Sequence, residues 1–358
     1  MSSTQEAEAQ VPPKRNMQYV NLGKSGLKVS RIILGCMSYG SPEWFPWLLG
    51  EKEGLEHIKA AYDAGIQTFD TADVYSHGLS EVILGKAIKR YNFPREEIVV
   101  MTKISGLVTK SPGEKYFQTG EDPKKYGYVN QSGLSRKHVF EGVKHCLERL
   151  QLDYVDVLQC HRFDPNTPIS EVMHALHDVV QAGHVRYIGM SSCYAWQFFA
   201  MQSYAIEHGL TSFISMQNHY NMLYREEERE MMPTLRHFGV GSIPWSPLAR
   251  GLLTRPLGSQ KTARGDFDPW HKLYLNEHAS GKIIIKRVEE LAAKKGHSMA
   301  QIALAWMLTK DVVSAPIMGT TSLKNLHDIL GALDVKLDED EVKYLDEAYL
   351  PLPVLGHT

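Results

Sequence analysis

Apolar and polar positions along this chain switch repeatedly between two periods. Short runs that are apolar on both faces alternate with longer stretches whose apolar residues recur every three or four positions. The eight short runs are RIILG at 31–35, QTFD at 67–70, IVVMTK at 98–103, YVDVLQCH at 154–161, VRYIGMS at 185–191, FISMQN at 213–218, GVGSIPW at 239–245 and VVSAPIMG at 312–319. Most lack the in/out alternation of a half-exposed strand, as expected of parallel strands covered on both sides. Ahead of them, MQYVNLG, a Gly-Lys-Ser-Gly turn and LKVSRI read as a small β-hairpin.

Helical periods fill the intervals. In 51–65, Leu55, Ile58 and Tyr62 share a face and Gly65 supplies a left-handed stop. In 136–150, Val139, Val143, Cys146 and Leu150 form the apolar stripe. Ser170 is placed to cap 170–183, which stops at Gly183, and 225–239, 282–296 and 298–310 continue the alternation. The charged run at 225–230 reads as a helix N-terminus favoured by the macrodipole. His138, His145, His174 and His177 fall on predicted helices, where solvated or capping positions are expected.

Repeated βα units with right-handed crossovers close most simply at eight strands. The expected fold is therefore a (β/α)8 TIM barrel with an N-terminal β-hairpin. An open doubly wound sheet fits less well, because no Gly-x-Gly-x-x-Gly occurs. Residues 104–135 and 254–280 run far beyond usual βα loops and follow predicted strand C-termini, the face where barrels keep their active sites. Both are expected to cover the site.

Composition bounds the function classes. With 43% hydrophobic and 22% charged residues, the 358-residue chain suits one barrel domain over 16–358 behind a polar, disordered tail at 1–15. A net charge of −2 gives no electrostatic reason to expect nucleic acid or an anionic membrane as partner. Cys36, Cys146, Cys160 and Cys193 show neither a Cys-x-x-Cys pair nor a zinc spacing, which suits free thiols in a reducing compartment. No apolar run reaches the ~18 residues of a membrane helix, and the polar start is unlike a signal peptide. A cytoplasmic location is expected. No metal is expected either, since no His-x-x-x-His or Glu-x-x-His stands at a strand end.

The candidate chemistry is positional. Asp70, Lys103 and His161 end the second, third and fourth predicted strands, and Tyr75 follows in the loop after Asp70. One ionisable residue at a strand end is ordinarily solvated or capping; three in succession beside a tyrosine suggest a site. Carbonyl reduction explains all four. A carbonyl carbon that accepts hydride leaves an alkoxide that needs a proton. Tyr75 is a suitable acid only if its pKa is lowered from about 10 towards neutrality, and the Lys103 ammonium is the candidate to lower it. Asp70 would keep a buried Lys103 charged, and His161 would polarise the carbonyl oxygen.

TFDTADVYSHGLSE, the lysine of VVMTK, DYVDVLQCHRFD, GHVRYIGMSS, SMQNHYN, IPWSPLARGLL and PIMGTTSLKNL stand in that order along the chain. Together they resemble the signature blocks of the aldo-keto reductases. Within that family, CMSYG, GLSRKH, HVRYIG and PWSPLARGLLTRP are most similar to fungal aryl-alcohol-dehydrogenase-like and versiconal-hemiacetal-acetate-reductase-like members. The resemblance implies a catalytic tetrad of Asp70, Tyr75, Lys103 and His161 with Tyr75 as proton donor, and NADPH/NADP+ as cofactor. It implies that Ser191 and Gln217 hold the nicotinamide carboxamide, with Ser192 where the family usually has Asn, and that Trp245 stacks on the ring. Met37 joins this cofactor set, although Met37 and Trp245 also suit core positions on spacing alone. Ser246, Pro247, Leu248, Arg250 and Gly251 match the strap over the pyrophosphate, and Gly319, Thr321, Asn325 and Asp328 the adenosine segment. Asn325 stands where relatives often have Gln or Arg, and Ile329 where they have Asn. Arg250, Arg255 and Arg264 offer charge for a 2′-phosphate.

The resemblance thus implies reduction of a small aldehyde or ketone. Tyr39, Trp44, Phe45, Trp47 and Tyr75 suggest an aromatic-lined pocket, hence aromatic or bulky apolar carbonyls, with Tyr39, Trp44 and Phe45 as substrate contacts. The alternative is a cofactor-sensing regulatory subunit of the potassium-channel β type, which shares the barrel and has little turnover. A lysine Schiff-base enzyme on the same fold would leave Tyr75 and Trp245 without a purpose.

Overall fold

The computed structural model of the protein describes residues 17–114, 116–259, 270–275 and 280–357. Strands β1 (Tyr19–Asn21) and β2 (Lys28–Ser30) pair antiparallel as the expected hairpin. Eight parallel strands follow: β3 (Ile33–Gly35), β4 (Thr68–Asp70), β5 (Val99–Ile104), β6 (Val155–Cys160), β7 (Val185–Ser191), β8 (Phe213–Gln217), β9 (Gly241–Ser242) and β10 (Ile317–Met318). They lie in the order β10-β3-β4-β5-β6-β7-β8-β9. The last gap closes where Ser242 pairs with Val313: its N–H donates to the Val312 carbonyl at 2.9 Å and its carbonyl accepts from Ser314 at 2.8 Å. The fold is the (β/α)8 barrel.

Strands β9 and β10 are much shorter than the runs at 239–245 and 312–319. Pro244 and Pro316 have no N–H to give a ladder, so regular pairing stops beside each of them.

Side chains divide along each strand by the two-residue period. On β5, Val100 and Ile104 join the large core beneath the helices. Val99 and Met101 instead join a separate cluster with Ile33, Val157, Ile243, Ala315 and Ile317 that also takes Leu22 and Val29 of the hairpin. The hairpin therefore plugs the N-terminal end of the barrel with apolar side chains. Continuing inward along the same strands, Val99 and Met101 give way to Lys103, and Val157 to Gln159. The barrel interior turns polar at its C-terminal end.

The outer helices match the predicted stripes. Val139, Val143, Cys146 and Leu150 are buried on the helix Arg136–Leu150, whose N-terminus is capped by the Ser135 hydroxyl. Three expectations are corrected. The helix Ile169–Gln181 begins at Pro168, which fixes its own φ and has no N–H to satisfy, so Ser170 lies inside the first turn and caps nothing. The run at 225–230 forms a 3₁₀ turn, Glu226–Glu228, with Glu226 and Glu227 buried, and the helix starts only at Met231. His138 is buried, and burial pushes its pKa below the ordinary histidine value. Among the described residues no helix is long and apolar enough to cross a membrane.

Candidate active site

The polar end of the barrel is built around Lys103. Its side chain is fully buried, and each of its three ammonium protons has an acceptor: Asp70 Oδ2 at 2.6 Å, the Thr71 carbonyl at 2.8 Å and the Tyr75 phenol oxygen at 3.2 Å. Asp70 Oδ1 accepts from Gln159 Nε2 at 2.9 Å and Gln217 Nε2 at 2.8 Å, so both carboxylate oxygens are occupied. Gly189 of β7 makes room for this layer, because a Cβ there would lie 2.3 Å from Ser215 Oγ and 3.2 Å from the Gln159 side chain. Tyr75 opens a turn in which Ser76, His77 and Gly78 all adopt left-handed φ. Ser76 Oγ accepts the Ser41 N–H at 2.8 Å, and Glu81 beyond the turn holds Thr102 at 2.5 Å and Arg149 at 2.6 Å. These contacts fix the phenol over Lys103. The His161 ring stands edge-on to it, centroids 5.8 Å apart.

A cavity of about 740 Å³ opens above this layer. Asp70, Tyr75, His161, Ser191, Gln217 and Trp245 line its floor and side, and Trp44, Phe45 and Trp47 form an aromatic wall. Burial opposes the Lys103 charge, but Asp70 and the phenol outweigh it and hold the ammonium above its ordinary pKa. Burial, together with the Arg162 and Lys103 charges, pushes His161 well below its ordinary value, so the ring is neutral. The phenol differs from expectation. Burial raises the Tyr75 pKa and the Lys103 charge offsets this only in part, so the group lies above its ordinary value instead of near neutrality. Its proton is held across the neutral range, which is the form a proton donor needs.

The sequence model of the Aldo/keto reductase family matches residues 31–350. The chain belongs to that family. It is 49% identical over 338 residues to versiconal hemiacetal acetate reductase of Aspergillus parasiticus, covering 94% of this chain and 98% of that protein. An aryl-alcohol dehydrogenase-like protein of Schizosaccharomyces pombe is 48% identical, over 94% of this chain and 97% of its own. An aldo-keto reductase of Metarhizium robertsii is 46% identical, over 96% and 94%.

In this aldo/keto reductase the residues carried over from the family mostly face one space. Met37, Ser191, Gln217, Trp245, Ser246, Pro247, Leu248, Arg250, Gly251, Arg255, Gly319, Thr321, Asn325 and Asp328 all line the cavity. Arg264 lies outside the described residues. Ser192 does not line it: the hydroxyl accepts the Trp245 indole N–H at 3.0 Å and sets that ring's orientation from behind. Tyr39 does not line it either. Its chain turns through a 3₁₀ turn at Cys36–Ser38 and sends the ring into the core against His57, centroids 5.8 Å apart. Among the described residues of 104–135 none lines the cavity; Thr109 instead bonds His77, which packs against Trp44. From 254–280, Thr254, Arg255 and His271 do.

Three contributors were not anticipated. Gln159 holds Asp70; a Gln inside an otherwise apolar buried strand was a readable signal, because buried amides need partners. His219 is stacked between Trp245, at 4.2 Å, and Tyr224, at 4.3 Å, and so backs the indole that faces the cavity. Arg162 lines the cavity directly after His161.

Proposed function

We propose that this chain reduces an aldehyde or ketone, aromatic or bulky and apolar, with NADPH as reductant and Tyr75 as proton donor. The observation that carries the reading is the Lys103 ammonium joining Asp70 to the Tyr75 phenol at the foot of the cavity. Because the phenol oxygen accepts from Lys103, its own proton is available to a substrate oxygen.

The lining suits the dinucleotide. Its volume lies within the roughly 300–1,000 Å³ usual for such sites. Trp245 offers a flat face, and Gln217 Oε1 an acceptor. The strap from Ser246 to Gly251 carries left-handed φ at Ser246, Ala249, Arg250 and Gly251, a backbone form that turns N–H groups toward anions. The turn at Gly319–Thr321 leads into the helix Leu323–Leu330, whose N-terminus favours negative charge. Of the charged lining groups, Asp70 and Asp328 are engaged by protein donors, Asp328 by Ser298 and Gln301. Arg162, Arg250 and Arg255 give the lining its positive charge. NADPH, when bound, supplies the hydride. Neutral His161 donates an N–H to the carbonyl oxygen and polarises it, Tyr75 delivers the proton, and Lys103 stabilises the phenolate left behind. The Trp44–Phe45–Trp47 wall orients an aromatic or bulky substrate.

NADPH is expected to bind at least tenfold more tightly than NADH, a difference of ~1.4 kcal/mol, because Arg250 and Arg255 offer charge to the extra phosphate. Equal affinities in a fluorescence titration would remove that preference. The wider test is a panel of aldehydes and ketones followed by NADPH consumption. Turnover of aromatic members supports the reading; tight NADPH binding with negligible turnover across the panel would instead indicate a cofactor sensor.

A further inference from the structure

Ser191, Gln217 and Arg162 stand together on the cavity wall, and their hydrogen bonds leave an uneven supply of donors. The Ser191 hydroxyl donates its only proton to the Gln217 carbonyl at 2.8 Å. Gln217 Nε2 gives one proton to Asp70 at 2.8 Å and the other to Gln159 at 2.9 Å, so Oε1 alone is left to face a ligand. Ser192 lies behind the wall against Trp245. Ser191 and Gln217 therefore present acceptors to the cavity.

Arg162 is the donor. Its Nη1 contacts the His161 carbonyl and lies 3.4 Å from Ser191 Oγ. A guanidinium carries five N–H groups, so most remain available. The side chain is largely buried, and the groups that act on its charge are the Tyr75 phenol and the Cys193 thiol, with no carboxylate among them. A buried cation without a carboxylate calls for an acceptor supplied by a ligand.

Resting on the cofactor reading above, we infer that Arg162 donates to the oxygen of the nicotinamide carboxamide while Gln217 Oε1 accepts from its NH₂. A primary carboxamide has one carbonyl acceptor and one NH₂ donor, the complement of that pair. Arg162 and Gln217 together fix the ring against Trp245.

The test uses the full chain with Arg162→Met, which keeps the stem, and Arg162→Lys, which keeps the charge. Binding is followed by fluorescence for NADPH, for its thionicotinamide analogue, in which sulfur replaces the carboxamide oxygen, and for 2′-phospho-ADP-ribose, which lacks nicotinamide. Arg162→Met is expected to weaken NADPH on the order of tenfold to a hundredfold, as for loss of a charged donor to a buried acceptor. Its affinity for 2′-phospho-ADP-ribose should stay within a few-fold of the parent. The parent's preference for NADPH over the thio analogue should shrink toward unity in Arg162→Met, and Arg162→Lys should retain part of it. Equal weakening of NADPH and 2′-phospho-ADP-ribose would overturn the assignment, placing Arg162 at the phosphates or in the fold. Unchanged NADPH affinity with KM raised only for carboxylate-bearing aldehydes would overturn it in favour of a substrate subsite. A parent chain that binds 2′-phospho-ADP-ribose as tightly as NADPH would show that nicotinamide contacts contribute nothing, and would overturn it while leaving the adenosine end of the cofactor reading standing.

Discussion

Tyr75→Phe is expected to lower kcat for aldehyde reduction by about 10²–10⁴-fold while leaving NADPH affinity within a few-fold of the parent. The change removes one oxygen and keeps the ring, whose neighbours are Trp44, with centroids 6.3 Å apart, and the His161 ring at 5.8 Å. Lys103 loses its weakest partner, at 3.2 Å, and keeps Asp70 and the Thr71 carbonyl. Stability should therefore change by no more than the ~0.5–1.5 kcal/mol of one hydrogen bond. The cavity wall of Ser191, Gln217 and Trp245 is untouched. Nothing nearby replaces the acid: His161 is held neutral by burial and by the Arg162 and Lys103 charges, and the guanidinium of Arg162 does not give up a proton in this range. Cofactor binding and turnover measured on one preparation decide the matter. Near-parental turnover would exclude Tyr75 as the donor.

Much of this arrangement was legible in the sequence because it depends on short-range patterns. Short runs apolar on both faces located the eight barrel strands and 3.6-residue periods most helices, and the strand-end positions of Asp70, Lys103 and His161 follow once those strands are drawn. What was not legible depends on chain segments distant in sequence. Glu226 looked like a solvated helix start, yet the C-terminal segment returns over it, with the Tyr349 hydroxyl at 2.7 Å and the Leu352 N–H at 2.8 Å. Nothing local announces that. Tyr39 looked like a pocket residue because it is aromatic and follows a strand, but a 3₁₀ turn rotates it into the core. The phenol of Tyr75 illustrates the same limit in electrostatics. A neighbouring lysine can be guessed from order along the chain, whereas the desolvation that outweighs it follows only from the packed site. Gln159 and Arg162 complete the layer from one or two places either side of His161, where position along the chain does not mark them.

Lys103→Met is expected to cost both stability and catalysis, and the two losses can be separated. Lys103 and Asp70 form a fully buried ion pair at 2.6 Å. Removing one partner of such a pair typically costs about 3–5 kcal/mol, because the other charge is left uncompensated. Gln159 and Gln217 still donate to Asp70 and soften this loss without supplying a positive charge. Adding Asp70→Asn removes the orphaned charge, so the double variant should regain most of the lost stability, as read from the urea or thermal midpoint. Catalysis should not return with it. Without the ammonium the largest offset to the burial that raises the Tyr75 pKa is gone, and the phenolate formed as the proton leaves keeps only the weaker influence of the Arg162 charge. Both the single and the double variant should therefore reduce aldehydes at least roughly 10²-fold more slowly than the parent. A double variant that recovers stability and turnover together would make Lys103 a structural partner of Asp70 and leave the phenol to act unaided. Recovery of stability alone assigns the ammonium to the chemistry of Tyr75.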